Sequence, residues 1–447
     1  MESFPTLGVA EEPDWWLGGA IYLCVARAPR WIRRRVESVS FLDARSMRRR
    51  VSLDFEIPEE AVSPGGPPPA IPLALLGKRP LVNFDLRDEA GASLAVLTKE
   101  ENGFAAWSAL ARIGQHEAQR AFGIKKKLPP EILSDLKVVA GGSKARAMEA
   151  LQRLGGDVDP GLRTELQSSP FFMDFASSLA QAFLLLTPTR DPAGAPRIAK
   201  FSYAQPLELP PETRWQRFAG QVGVRAAEYG FRIPAIGESE SYHFEFACPP
   251  GLAIAAAELV VFEDGGSGDD EERSQEEATE EFDVDAYSAQ LVGSLAHVYV
   301  SGKSAEFVGI ARVWLTFPTE GLLRAGLAVG ALGAGIFLFF LWGDRIQQIK
   351  GNAPAALLLA IPSLVAAFLV RPGEHGMATN LLTGLRAEVA AAGATAYVGA
   401  IVVIGGVEGA ALINTWRILA IASVVCFLAL VVSLFGRTPS GLASGEE

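Results

Sequence analysis

Apolar residues are arranged in two ways along this chain. Up to about position 320 they alternate with polar residues or recur at helical spacing in short runs; beyond it they follow one another almost without a break. Four late stretches carry no charge: Ala325–Trp342, Ala353–Val370, Val389–Val407 and Ile418–Gly436. A bilayer core needs about 20 residues of helix, so each is at or just below the length that spans one. Backbone groups inside hydrocarbon must be satisfied within their own segment, which makes each a helix. Trp342 and Trp416 fall near segment ends, where an indole can keep its N–H in water. Gly326, Gly330 and Ala334 form one row of small residues and Ala392, Ala396 and Ala400 another. Such rows allow close helix packing, within one bundle or across a dimer face. Pro362 predicts a kink in the second stretch.

The earlier part predicts a mixed α+β region whose first 60 residues read as strands. Val51, Leu53, Phe55 and Ile57 alternate with polar residues, as does Val82, Phe84, Leu86, followed by the turn Asp88–Gly91 and a return through Leu94 and Val96. Thr98 and Glu101 form a capping box that opens a helix carrying Phe104, Trp107 and Ala111 and ending near Gly123. Helical patterns then run to about Leu185, broken at Pro129–Pro130 and Gly155–Pro160. From about Arg197 strands return: Tyr242–Phe246, a run to Phe262, Leu295–Val300 and Phe307–Phe317. The expected fold is therefore an α+β soluble region followed by an all-α four-helix transmembrane domain. The soluble region has a β-rich N-terminal part, a helical middle and a small antiparallel β-sandwich-like unit beside the membrane. The boundaries are a cytosolic α+β region at 1–190, the juxtamembrane β unit at 191–320 with an acidic insert at 264–285, the membrane domain at 321–437 and a tail at 438–447.

Charge sharpens this in two places. Between Glu263 and Asp285 there are twelve acidic residues against Arg273 alone, so this segment accounts for the whole net charge of −11. It is too polar to fold by itself, and no calcium-loop spacing appears in it. Conversely, Arg27, Arg30, Arg33, Arg34, Arg35, Arg45, Arg48, Arg49 and Arg50 place nine arginines in 24 positions, opposed only by Glu37 and Asp43. A solvated strand face, a surface for anionic lipid or an acidic partner would each account for them. Nucleic acid is not expected as a partner, since the aromatic interleaving of nucleic-acid modules is missing.

Other motifs fall short of chemistry. Gly237-Glu-Ser239-Glu-Ser241 lacks the last glycine of a nucleophile elbow and leads into a strand. Gly141-Gly142-Ser143-Lys144 lacks the order of a phosphate loop. Cys24, Cys248 and Cys426 are scattered, and His116, His243, His297 and His375 show no metal-ligand spacing, although His243 and His297 lie on neighbouring predicted strands. No catalytic, cofactor-binding or metal-ligating residue is assigned, and no cofactor is expected. The usage of Arg over Lys with much Ala, Gly and Pro fits a high-GC bacterium. No amino-terminal leader is evident, and the loop bases lean weakly towards cytosolic termini.

The expectation is a non-enzymatic, multi-pass protein of the bacterial inner membrane, with cytosolic termini. Its cytosolic region would bind a protein partner or ligand, and membrane lipids or a second copy would meet the helices. A pore-forming or membrane-disrupting effector gated by the soluble region is the alternative. A membrane-bound enzyme of unknown class comes third.

Overall fold

The structure is a computed structural model that describes residues 11–62, 70–154, 159–207, 213, 219–220, 225–233, 239–263, 287–301, 307–318, 320–342, 345–346, 353–371 and 375–435. It is a mixed α/β chain whose amino-terminal part is rich in strands and whose carboxyl-terminal part is helical.

Where strands are expected over the first 60 residues, the described chain opens with helix α1 (Trp15–Ala26), because Asp14 caps it by accepting from the Trp16 and Leu17 N–H groups and Leu17 and Ile21 bury in the helical core. The short α2 (Ala28–Trp31) leads into the hairpin β1 (Ile32–Phe41) and β2 (Ser46–Glu56). Strands β3 (Ala70–Gly77) and β4 (Val82–Arg87) follow, then α3 (Lys99–Phe122), with the predicted Thr98–Glu101 capping box in place. Four more helices complete the helical unit: α4 (Pro130–Gly141), α5 (Lys144–Arg153), α6 (Pro160–Ser168) and α7 (Pro170–Gln181). The strands then resume: β5 (Ala182–Pro188), β6 (Pro196–Pro206), β7 (Ala227–Ile233), β8 (Ser241–Ala247), β9 (Ala253–Glu263), β10 (Tyr287–Val292), β11 (Leu295–Ser301) and β12 (Phe307–Thr316).

These strands build three sheets. The largest has the order β10-β11-β8-β1-β2-β6-β4, a second has the order β7-β12-β9, and β3 pairs with β5 alone. Strands from before and after the helical unit therefore interleave. β8 joins β1 in parallel, and β6 joins β2 on the other side. The hairpin expected after Asp88–Gly91 does not continue as a strand. An isolated bridge links Arg87 to Ser93, flanked by bonds from the Asp88 N–H to the Ala92 carbonyl and from the Leu94 N–H to the Leu86 carbonyl, but no second strand follows, and β4 pairs with β6.

One face of the seven-stranded sheet is buried and the other is polar. On the buried face, Val51, Leu53, Phe55 and Phe201 pack with Trp31, Ile71, Leu73 and Leu185. Further along it, Val39, Phe41, Phe244, Phe246 and Val298 pack against Tyr229, Phe231, Ala311 and Val313 of the three-stranded sheet. The β3–β5 ribbon is covered on both sides. Leu185 meets the large sheet, whereas Leu184 and Leu186 join the core of α1 and α3–α7.

Beyond β12 come α8 (Leu322–Leu341), α9 (Ala353–Leu369), the short α10 (Gly376–Leu381), α11 (Thr383–Ile404) and α12 (Gly409–Phe435). Of these, α8, α11 and α12 are long and apolar enough to cross a membrane. α9 is apolar but has 17 residues, about 26 Å of helix, with Pro362 inside it. The four long helices pack as one antiparallel bundle. One cluster joins Leu323 and Val329 of early α8 to Ala366 of late α9, Leu385 and Val389 of early α11 and Leu430 of late α12. The other joins Phe337 of late α8 to Leu359 of early α9, Ala400 and Val403 of late α11 and Trp416 of early α12. The small-residue rows are consumed inside this bundle: a Cβ on Gly326 would lie 2.7 Å from Val389, and Ala392, Ala396 and Ala400 are buried. Trp342 is exposed as expected at an end, but Trp416 is fully buried and donates its indole N–H to the Phe337 carbonyl at 3.1 Å. The reason is that α12 begins seven residues before Trp416, with Gly409.

Candidate functional site

The arginine-rich segment folds into the β1–β2 hairpin, and strand alternation divides its side chains. Arg35 and Arg49 turn to the buried face, where Glu37, 1% exposed, lies between them. Arg35 Nε donates to Glu37 Oε1 at 2.8 Å, and Arg49 Nε donates to Glu37 Oε2 at 2.7 Å. Burial alone would raise the Glu37 carboxyl, but Arg49 and Arg35 outweigh it and hold the group below the usual carboxylate range. Tyr242, directly opposite Arg35 on β8, is buried beside them, and burial followed by the Glu37 charge raises its phenol. This ionic group separates the two apolar cores under the seven-stranded sheet. Arg35 and Arg49 thus depart from the solvated face that the run of arginines suggests, whereas the exposed arginines keep to it.

The other arginines split by place. Arg27 pairs with Glu60 at 2.5 Å and Arg33 pairs with Glu56. Arg34, Arg45 and Arg50 are exposed, Arg48 is half-buried, and none of the four has an ion pair among the described residues. Arg50 stands opposite Ser38 and Ser202, while Arg48 stands opposite Ser40 and Ala204. Arg48, Arg50 and the exposed Lys200 therefore line one stretch of the polar face.

Further across the same face, β8 and β11 bring two histidines together. His243 Nδ1 lies 3.1 Å from His297 Nε2, with ring centroids 5.3 Å apart. The register places His297 opposite Glu245 and His243 opposite Tyr299, whose ring is 5.0 Å away. Glu245 Oε2 accepts from the Ser38 hydroxyl at 2.7 Å. Burial, then His297 and Arg34, lowers the proton affinity of His243, with Glu245 opposing.

The hairpin turn touches the helical bundle. A Cβ on Gly376 would be 3.6 Å from the Ala44 nitrogen and 3.8 Å from the Asp43 Cα. Asp43 closes the turn by accepting from the Arg45 and Ser46 N–H groups, and these bonds hold its carboxyl below the usual range. Next to Gly376, Met377 is buried, and its sulfur receives the Tyr229 hydroxyl at 3.7 Å. The loop between α9 and α11 is thus pinned to both large sheets.

The remaining motifs have structural roles. Ser239 is buried and donates to the Ser241 carbonyl, and Gly237 lies outside the described residues. Gly141–Lys144 is the turn between α4 and α5, with no strand before it. His116 is exposed on α3, and His375 caps α10 by accepting from the Met377 N–H. Burial pushes the Cys24 and Cys248 thiols up to about 12, so neither is a thiolate at neutral pH. The acidic segment 264–285 lies outside the described residues. Among the described residues no three His, Cys, Asp or Glu side chains are grouped around a metal position. Two features escaped the sequence reading. Lys78 donates to the Val139 carbonyl at 2.6 Å near the end of α4, with its affinity for a proton lowered to about 8 by burial and Lys99. Arg386 and Glu388 lie within α11, because that helix starts at Thr383 rather than at Val389.

No family model matches the chain, and no curated protein matches it.

Proposed function

We propose that this is a non-enzymatic membrane protein in which α8, α9, α11 and α12 all cross the bilayer. The soluble body on one side would bind a partner or ligand, and its state would pass into the bundle. The single observation that carries this reading is the shared core. Phe41, Tyr229, Phe231, Phe317, Leu323, Leu385, Val389 and Leu430 belong to one buried apolar cluster that runs from two sheets into the helices. A tethered domain would need only the link at Phe317–Leu322; a packed junction moves with what it is packed against. The lipid-facing role of the bundle draws on its exposed belt, which includes Leu332, Phe339, Leu358, Leu364, Ile401, Ile421 and Val425. Soluble monomers rarely expose an apolar surface of that extent. At the belt edges Arg371 lies over the Phe368 ring at 4.9 Å and Arg345 over Phe339 at 4.6 Å, as cations snorkelling out of hydrocarbon do. The short α9 fits a membrane crossing when flanking residues snorkel or the bilayer thins around it.

The hairpin turn at Asp43–Arg45 abuts the loop after α9, so Arg45 and Arg48 stand nearest the membrane plane. Strands rise about 3.3 Å per residue, which leaves Arg33 and Arg34 roughly 20 Å or more further away. The near pair is the best placed to reach anionic headgroups. Vesicle flotation with 30 mol % anionic lipid, a composition chosen for the assay, tests this on the body expressed with its bundle. Reversing Arg45 and Arg48 to Glu should lower the preference for anionic over neutral lipid by a factor of about 5 or more per site, at about 1 kcal/mol per base. An unchanged preference contradicts the headgroup role.

A second reading, a pore gated by the body, draws on Arg386 and Glu388 inside α11. Ionisable groups within a bundle mark conduction paths in many membrane proteins. Depolarisation of cells by residues 321–437 alone would favour it, and a silent, inserted bundle would count against it.

A further inference from the structure

We propose that His243 and His297 form a cross-strand chelate for a divalent transition-metal ion of the zinc or copper class. The case rests on the geometry of the pair and does not depend on what the bundle does.

Zinc–imidazole bonds are about 2.0–2.1 Å long, so two nitrogens on a tetrahedral ion lie about 3.4 Å apart. The observed separation between His243 Nδ1 and His297 Nε2 is 3.1 Å, and a shift of a few tenths of an ångström admits the ion. Both rings sit on paired strands of a seven-stranded sheet, in a register fixed by their neighbours, so the arrangement is held before any ion arrives. The described residues offer neither imidazole another hydrogen-bond partner. Two imidazoles face to face satisfy each other only by sharing one proton. An ion satisfies both lone pairs at once. Imidazole nitrogens favour zinc, copper and nickel over calcium or magnesium, which take oxygen ligands.

Charges around the pair set the expected strength. Glu245 lies directly across from His297 and two residues from His243 on the same face, with Oε2 engaged by Ser38. It does not close a three-ligand set in this arrangement, so it serves as an outer carboxylate, and water fills the remaining positions. Arg34, on the neighbouring strand, opposes a cation. Such a site is open, and it binds the ion without burying it.

The test uses the full chain in detergent, titrated with Cu²⁺ and read by electron paramagnetic resonance, with Zn²⁺ binding followed in parallel by calorimetry. The expected result is one ion per chain with nitrogen hyperfine structure from two imidazoles. His297→Gln and His243→Gln should each weaken binding at least tenfold. The amide keeps a hydrogen-bonding group on the strand, and thermal melting checks that the fold survives. Should neither variant fold, the wild-type spectrum decides the matter. A spectrum with oxygen ligands only, such as the acidic segment Glu263–Asp285 would give, overturns the proposal. So does equal binding by wild type and His297→Gln.

Discussion

At the scale of single residues, Glu37 is the most consequential side chain in the body. It is buried between Arg35 and Arg49, and removing its charge takes the carboxylate away from two largely buried guanidinium groups. Breaking such a buried group by deleting one partner costs about 3–5 kcal/mol. Glu37→Gln should therefore lower stability by about that amount in chemical denaturation of the full chain. A loss well under 1 kcal/mol would show that the arginines find water or other partners. His243 gives a dependence on pH. Its folded-state proton affinity lies below the ordinary imidazole value of 6.5, so the unfolded chain binds the proton first. Between 6.5 and the folded-state value the unfolded chain holds more protons, and stability falls as pH falls. The melting temperature should decline on going from pH 7 to pH 5, and His243→Gln should flatten that decline. A melting curve equally steep in the variant would assign the effect elsewhere.

Among the elements, helix α1 shows how close packing depends on one position. A Cβ on Gly18 would lie 2.2 Å from the Ser108 carbonyl oxygen of α3, a backbone atom that cannot step aside. Gly18→Ala should cost about 1–3 kcal/mol of overpacking, read by thermal melting, although alanine is the better helix former. Neutral or improved stability would mean that α1 is not seated on α3 in this way. The same elements show what the sequence makes legible. Val51, Leu53 and Phe55 alternate because β2 is buried on one face, and the alternation names the strand. Thr98 and Glu101 mark the start of α3 because a capping box is a local device. By contrast, Ala182–Pro188 and Ala70–Gly77 are covered on both faces, so their apolar runs do not alternate, and β5 reads as the end of a helix. Strand partners are less accessible still. Nothing local announces that β8 lies parallel to β1, some 200 residues away, so alternation separates Arg35 and Arg49 from Arg34, Arg48 and Arg50 without telling which set is covered. Of the candidate site, the adjacency of His243 and His297 could be read from neighbouring strands. The burial of Glu37 and the contact of the hairpin turn with Gly376 could not.

In the molecule as a whole, one core joins a layered α/β body to an apolar bundle. The late part of the chain reveals its character by composition alone, since charge-free runs need no partner to be recognised. Helix boundaries are harder, because a helix can extend past its apolar run into charged residues. This is how Arg386 and Glu388 come to lie inside α11, and how Trp416 comes to lie inside the bundle. In the proposed arrangement α8, α9, α11 and α12 all cross the bilayer, with the body on one side. Glu320, before α8, and Glu408, between α11 and α12, separate this from a three-crossing arrangement in which α9 stays on one side. The measurement is labelling by a membrane-impermeant maleimide in sealed, oriented vesicles. Glu320→Cys and Glu408→Cys would be made singly, in a chain whose Cys24, Cys248 and Cys426 are replaced by Ala. Four crossings predict that the two positions label from opposite sides of the membrane; labelling of both from the same side would rule the four-crossing arrangement out.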